Sequence, residues 1–182
     1  MRRMFTIAAL LATVTGAPAF AGSFDVFTDF EFTDTDGFFE LGTSPNSVQF
    51  IDGEAKTIGA PLLYTSGLNA WMVDMGMTGE IIFETPAASV DLWYRDQSTF
   101  TTSVLTFYDT DDNILIQFNG SVATFQNIVV SGMGPISRIT LENDGMFGYA
   151  VIDDFGFTAI PAPGALGLLG IGAIAAGRRR RA

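Results

Sequence analysis

Between Gly22 and Thr158 the chain is a series of short runs rich in β-branched and aromatic residues. They read SVQFI (47–51), GEIIFE (79–84), ASVDLWY (88–94), SVLTFY (103–108), NILIQF (113–118), QNIVV (126–130), ISRITL (136–141) and YAVIDDFGF (149–157). Gly, Asp, Asn and Pro punctuate them at intervals of about ten residues, the rhythm of strands and turns. No window of helical length in this span carries a 3.6-residue apolar period. Many strands joined by tight turns, with no crossover helices, require antiparallel pairing. The expected fold is therefore all-β, an antiparallel, jelly-roll-like β-sandwich.

The hairpin LTFYDTDDNILIQF carries the strongest local pattern, with Asp109 to Asn113 as an acidic turn between two apolar strands. In its second strand Ile114, Ile116 and Phe118 alternate with polar positions, which predicts one core face. Residues 31–46, dense in Thr, Asp, Gly and Pro, read as a long loop. Trp71, in NAWMVDM, reads as core.

Composition removes several functions. The span 22–158 holds all twenty acidic residues against Lys56, Arg95 and Arg138, a net charge of −17. Such a surface repels nucleic acid and anionic lipid and favours solubility and cations. The chain has no cysteine, so no disulfide supports it. With no histidine, Ser-His-Asp and Cys-His nucleophilic systems and His-ligated metal sites are also excluded. Any catalysis would fall to carboxylates, and among twenty acids some pair always has a glycosidase-like spacing. No enzyme is expected.

The two ends depart from this body. Arg2 and Arg3 precede a mostly apolar stretch from Phe5 to Val14, and Ala19 and Ala21 place small residues at −3 and −1 of a cleavage point before Gly22. This is the pattern of a secretory signal peptide, so the secretion translocon and signal peptidase are expected partners. Near the other end, Ala165 to Ala176 is apolar or glycine and would make roughly 18 Å of helix, too short for a bilayer core of about 30 Å. Counted from Ile160 through Gly177 the helix reaches about 27 Å, with Pro161 and Pro163 tolerated in its first turn. Arg178 to Arg181 would stay on the cytoplasmic side and leave the acidic body outside. The expected organisation is a signal peptide (1–21), a β-sandwich domain (22–158) and a sorting or anchor segment (159–182).

Pro161-Ala162-Pro163, an apolar Gly/Ala/Leu/Ile run and the cluster Arg178, Arg179, Arg180 and Arg181 resemble the PEP-CTERM sorting signal read by exosortases in Gram-negative bacteria. Ala162 stands where that motif usually has glutamate. The resemblance implies recognition near Pro161 to Pro163, passage through the inner membrane, and delivery to the cell surface or exopolysaccharide matrix. The body is similar to jelly-roll domains of PEP-CTERM proteins and carbohydrate-binding modules, through YAVIDDFGF and the aspartate-rich hairpin turn.

Two places could hold structural calcium, whose sites need clustered oxygen ligands. Asp109, Asp111 and Asn113 occupy alternate positions, as in calcium loops, although Asp and Asn also simply suit turns. Asp153 and Asp154 interrupt an apolar strand, and alternation sends at least one carboxylate toward packed surface, where it needs compensation. In the jelly-roll modules resembled, a last-strand aspartate often holds calcium with acids near the first strand, which implies Asp25, Asp29 or Glu31 here. Hydrogen bonds from loop amides are the alternative.

A glycan face is the other candidate. Alternation in ASVDLWYRD puts Ala88, Val90, Leu92 and Tyr94 on one side and Ser89, Asp91, Trp93 and Arg95 on the other. A ring flanked by Asp91 and Arg95 could stack on sugar C–H bonds while the charged groups bond hydroxyls. A covering loop, or stacking of Arg95 on Trp93, would close that face.

Overall fold

The computed structural model describes residues 24, 26–30, 35–57, 69–97, 102–120 and 124–160. The expected signal peptide, the Pro-Ala-Pro motif, most of the apolar helix and the arginine cluster lie outside them. So do Asp25 and Glu31.

Nine strands follow in chain order: β1 (Val26–Thr28), β2 (Thr35–Leu41), β3 (Val48–Thr57), β4 (Asn69–Val73), β5 (Met77–Asp96), β6 (Ser103–Tyr108), β7 (Ile114–Asn119), β8 (Gln126–Asn143) and β9 (Ala150–Ala159). Every pairing is antiparallel. Among the described residues there is no helix, and none is long and apolar enough to cross a membrane. The all-β antiparallel expectation holds.

The longest strands were expected as separate pieces. GEIIFE and ASVDLWY are two halves of β5, and QNIVV and ISRITL are two halves of β8. Each strand turns a corner and contributes to both layers. The register of β5 shifts between Ile82 and Ser89, around Thr85-Pro86. Facing it, β8 bends through Gly132 and Gly134, whose φ angles of 70° and 108° suit glycine. The first half of β5 lies between β3 and the second half of β8, which continues to β6 and β7. The second half of β5 lies between the first half of β8 and β9, which continues to β4 and β1. Because β4 also pairs with β3, the order β9-β4-β3-β5 closes back on β9. Closure pairs these four strands on both sides and so removes edges that would otherwise template aggregation.

Residues 31–46 are not one long loop. Thr35–Leu41 pairs along β3, with a bulge at Gly37/Phe38 opposite Asp52. Gly, Asp and Thr mask this strand in composition, but Phe39 turns inward and stacks on Phe50 at 4.7 Å. β4 was also missed, although Trp71 lies fully buried in the core as expected. Phe50 packs edge-on against Trp71, Phe155 and Phe30 at 5.3–5.5 Å, and Phe83 meets Phe157 at 4.9 Å. Such pairs add about 0.5–1.5 kcal/mol each beyond the area they bury, so this aromatic cluster is the glue of a body without disulfides. Ile114 departs from the expected core face: it is exposed at the start of the edge strand β7, while Ile116 and Phe118 pack against the core.

Candidate functional site

The second half of β5 alternates as its sequence predicts. Val90, Leu92 and Tyr94 are buried, while Asp91, Trp93 and Arg95 are half-buried on the outer side. Two neighbours extend this outer face. On β8, Asn127 stands opposite Trp93 and Val129 opposite Asp91, both exposed. On β9, Asp153 is paired with Trp93 and Gly156 with Asp91. Phe27 of β1 lies beside Gly156 in register. A Cβ at Gly156 would come within 3.0 Å of the Phe24 ring, so the glycine lets that ring lie on the sheet. Phe24 in turn stacks on Phe27 at 6.0 Å.

The polar groups of this face are preset. The amide of Asn127 donates to Asp91 Oδ1 at 2.8 Å. Burial pushes the Asp91 carboxyl above its ordinary range, the Asn127 hydrogen bond opposes this, and the charge of Asp154 adds to it. The guanidinium of Arg95 lies over the Phe125 ring at 5.7 Å, so its cation–π partner is Phe125. Trp93, half-buried, stands between Asp91, Arg95 and Asn127. Sequence reasoning found Asp91, Trp93 and Arg95 by period-2 alternation. It missed Asn127, Phe24 and Phe27, which only strand pairing brings to the face; the alternation in QNIVV was the available signal for Asn127.

Asp153 and Asp154 do not simply face opposite ways. Between the pairs Asp91–Gly156 and Trp93–Asp153, β9 has one residue more than β5, and Asp154 takes a φ of 45°. This bulge puts Asp153 at the register position of Trp93 and brings Asp154 close enough to act on Asp91. Asp153 is fully buried, and its Oδ1 accepts the N–H of Asp154 at 2.8 Å. Asp29 follows β1 and is half-buried.

At the hairpin, Asp109 Oδ1 accepts the backbone N–H groups of Asp111 and Asn113 at 2.8 and 2.9 Å, and the Asn113 side chain donates to Oδ2 at 3.0 Å. These bonds, the one from the Asn113 side chain foremost, hold the Asp109 carboxyl below its ordinary range. Asp112 adopts a φ of 59° and accepts from Arg138 at 3.0 Å. The turn explains its own Asp and Asn residues by loop closure. Among the described residues no three acidic side chains converge to hold one metal ion.

The C-terminal end of β9 leads into the sorting segment without a spacer. Ala159 still pairs with Ala87, and the N–H of Ile160 donates to the carbonyl of Pro86 at 2.9 Å. The PEP-CTERM protein-sorting motif family matches residues 159–181. The chain carries a PEP-CTERM sorting motif. That signal marks an exported protein sorted by an exosortase to the cell surface, and it begins at the last residue of β9. No curated protein matches the sequence. Among solved structures, the chain is similar to the carbohydrate-binding module TmCBM61 in complex with β-1,4-galactotriose, at 16% identity and TM-score 0.42, over 64% of this chain and 90% of that one. It is similar to the CBM22-1 xylan-binding domain from Paenibacillus barcinonensis at 10% identity and TM-score 0.44, over 78% and 97%. A cleaved adhesin domain of Lys-gingipain from Porphyromonas gingivalis matches at 12% identity and TM-score 0.47, over 75% and 98%. The fold itself is established by the strand order and registers above.

Proposed function

We propose that this protein is a non-enzymatic surface or matrix protein of a Gram-negative bacterium that associates with exopolysaccharide through the outer face around Trp93. Export by the translocon, removal of residues 1–21 by signal peptidase, and a transient inner-membrane stage held by the C-terminal segment complete this reading. The observation that supports it is the half-buried Trp93 beside the Asp91–Asn127 hydrogen bond, on a chain with a PEP-CTERM motif. An aromatic face offers sugar C–H bonds a stacking surface, and an amide and carboxylate already bonded to each other lose little freedom when they engage hydroxyls.

The test is a glycan array probed with the exported protein and with Trp93→Ala. Binding to a polysaccharide that weakens at least ~10-fold in the variant, the effect of losing about 1.4 kcal/mol, is expected. Binding that ignores the substitution leaves a purely structural matrix protein. Polysaccharide turnover abolished by one acidic substitution would instead establish a carboxylate glycosidase.

A further inference from the structure

Among the described residues, four of the exposed large apolar side chains lie on two neighbouring loops. Met75 and Met77 belong to the β4–β5 turn, Met146 and Phe147 to the β8–β9 loop, and all four are 47–73% exposed. Asn143, fully buried at the end of β8, ties the loops together. Its carbonyl accepts the Gly76 N–H at 2.7 Å. Its side chain donates to the carbonyls of Val73 and Gly148 at 3.0 and 3.2 Å and accepts the Gly145 N–H at 3.1 Å. Gly76 and Gly148 take φ angles of 68° and 101°, which suit glycine. The loops are thus braced from inside by hydrogen bonds while their apolar tips face solvent.

Exposed apolar groups with a polar rim mark interaction surfaces. Methionine suits one well, because its flexible, polarizable thioether moulds to a partner's shape. A brace formed before binding also leaves little loop entropy to lose. The rim then narrows the partner. Asp74 and Asp144 are exposed beside the tips, and neither loop carries a lysine or arginine. An anionic bilayer is repelled there, and so is a second copy of this acidic body. Position disfavours a bilayer as well. β9 starts at Ala150, next to the β8–β9 loop, and ends at Ala159, where the sorting motif begins. The length of that strand, about 30 Å, separates the tips from the exit of the C-terminal segment. The complementary partner is a cationic polypeptide with an apolar face.

We propose that the two loops form a docking surface for a cationic amphipathic segment of another polypeptide. The segment sets its apolar face on Met75, Met77, Met146 and Phe147 and its lysines or arginines against Asp74 and Asp144, as amphipathic helices do on other apolar surfaces. The surface includes no residue of the Trp93 face, so it stands whether or not polysaccharide binds there.

Fluorescence anisotropy of a labelled Leu/Lys amphipathic peptide of about 14 residues, some four helical turns, titrated with the exported protein, tests it. Saturable binding is expected. Met146→Gln with Phe147→Ser, or Met75→Gln with Met77→Gln, should weaken it at least ~10-fold, as loss of interface anchors does. These side chains are exposed, so the melting curves of the variants should match the wild type. Asp74→Asn with Asp144→Asn keeps an acceptor for the Met75 N–H. It should weaken binding several-fold and flatten its salt dependence. Ile114→Gln, which removes an exposed apolar side chain from β7, should change nothing. A Ser/Lys peptide of equal charge that binds as tightly would overturn the proposal, because charge alone would then suffice. An equal loss with Ile114→Gln, or unchanged affinity in the methionine and phenylalanine variants, would overturn it too. Binding of phosphatidylethanolamine–phosphatidylglycerol vesicles that depends on Met146 and Phe147, without peptide binding, would assign the loops to a lipid surface instead.

Discussion

Asp109, in the turn between β6 and β7, uses its carboxylate to close its own loop, accepting two backbone amides and the Asn113 side chain. Asp153 on β9 and Asp96 at the end of β5 carry the same side chain into the interior, at 0% and 3% exposure. Asp96 accepts from the Ser103 hydroxyl, which lies 2.5 Å from the Tyr94 hydroxyl. A turn aspartate has water as an alternative partner, so its removal leaves few groups stranded. A buried aspartate holds donors that have no such alternative. The surface charge of this chain is thus one matter and its structural carboxylates another.

The largest expected effect separates the two places directly. Asp153→Ala removes a fully buried carboxylate that accepts the Asp154 N–H and should destabilise the protein by about 1–3 kcal/mol, several degrees in a melting curve for a chain of this size. Asp109→Ala should shift the midpoint far less. Equal shifts would erase the distinction between buried and turn carboxylates.

A smaller effect concerns pH, where the two kinds of carboxylate have opposite signs. Burial raises the Asp96 carboxyl above the ordinary value of 3.8, with the Ser103 bond opposing. The folded state therefore holds that proton more tightly than the unfolded chain, and the stability this gives is present below 3.8 and is lost as pH rises through the folded value. Asp109 is held low, so its contribution is present above 3.8 and is lost as pH falls through its folded value. Asp96→Asn, which keeps an acceptor for Ser103, should gain on the wild type as pH rises from 4 to 7. A constant difference across that range would remove Asp96 from the account. Asp109→Asn should trail the wild type across that range, by a margin that closes as pH falls below 3.8.

How far these places could be read from sequence follows from the range of the forces involved. The strand 103–108 matches β6 in both bounds, and the outward position of Trp93 follows from period-2 alternation, because both depend on neighbours along the chain. β5 and β8 were each split in two because Thr85-Pro86 and Gly132-Met133-Gly134-Pro135 carry turn chemistry. In the fold these residues make corners inside paired strands. β2 was hidden since its partner, β3, supplies the pattern that its own Thr, Asp and Gly residues lack. The Asp52 bulge and the Asn127–Asp91 bond depend on register between strands up to 36 residues apart, information that no local window contains. The sorting motif was legible because an exosortase signal is itself a linear pattern.

The last comparison is calcium, expected from sequence either at the turn or around Asp153 and Asp154 with Asp25, Asp29 or Glu31. At the turn, Asp109 already accepts three donors, and an ion would have to displace them or share their oxygens. At β9, Asp153 is buried beside Asp154, whose charge acts on Asp91. An ion that binds only the folded state raises its stability by about 2.7 kcal/mol at a concentration 100 times its dissociation constant. Melting in millimolar calcium and in EDTA therefore decides between the sites. A β9 site predicts a calcium-dependent rise that Asp153→Asn abolishes and Asp109→Asn leaves intact, and a turn site predicts the reverse. Identical midpoints in calcium and EDTA would reject an ion at both sites.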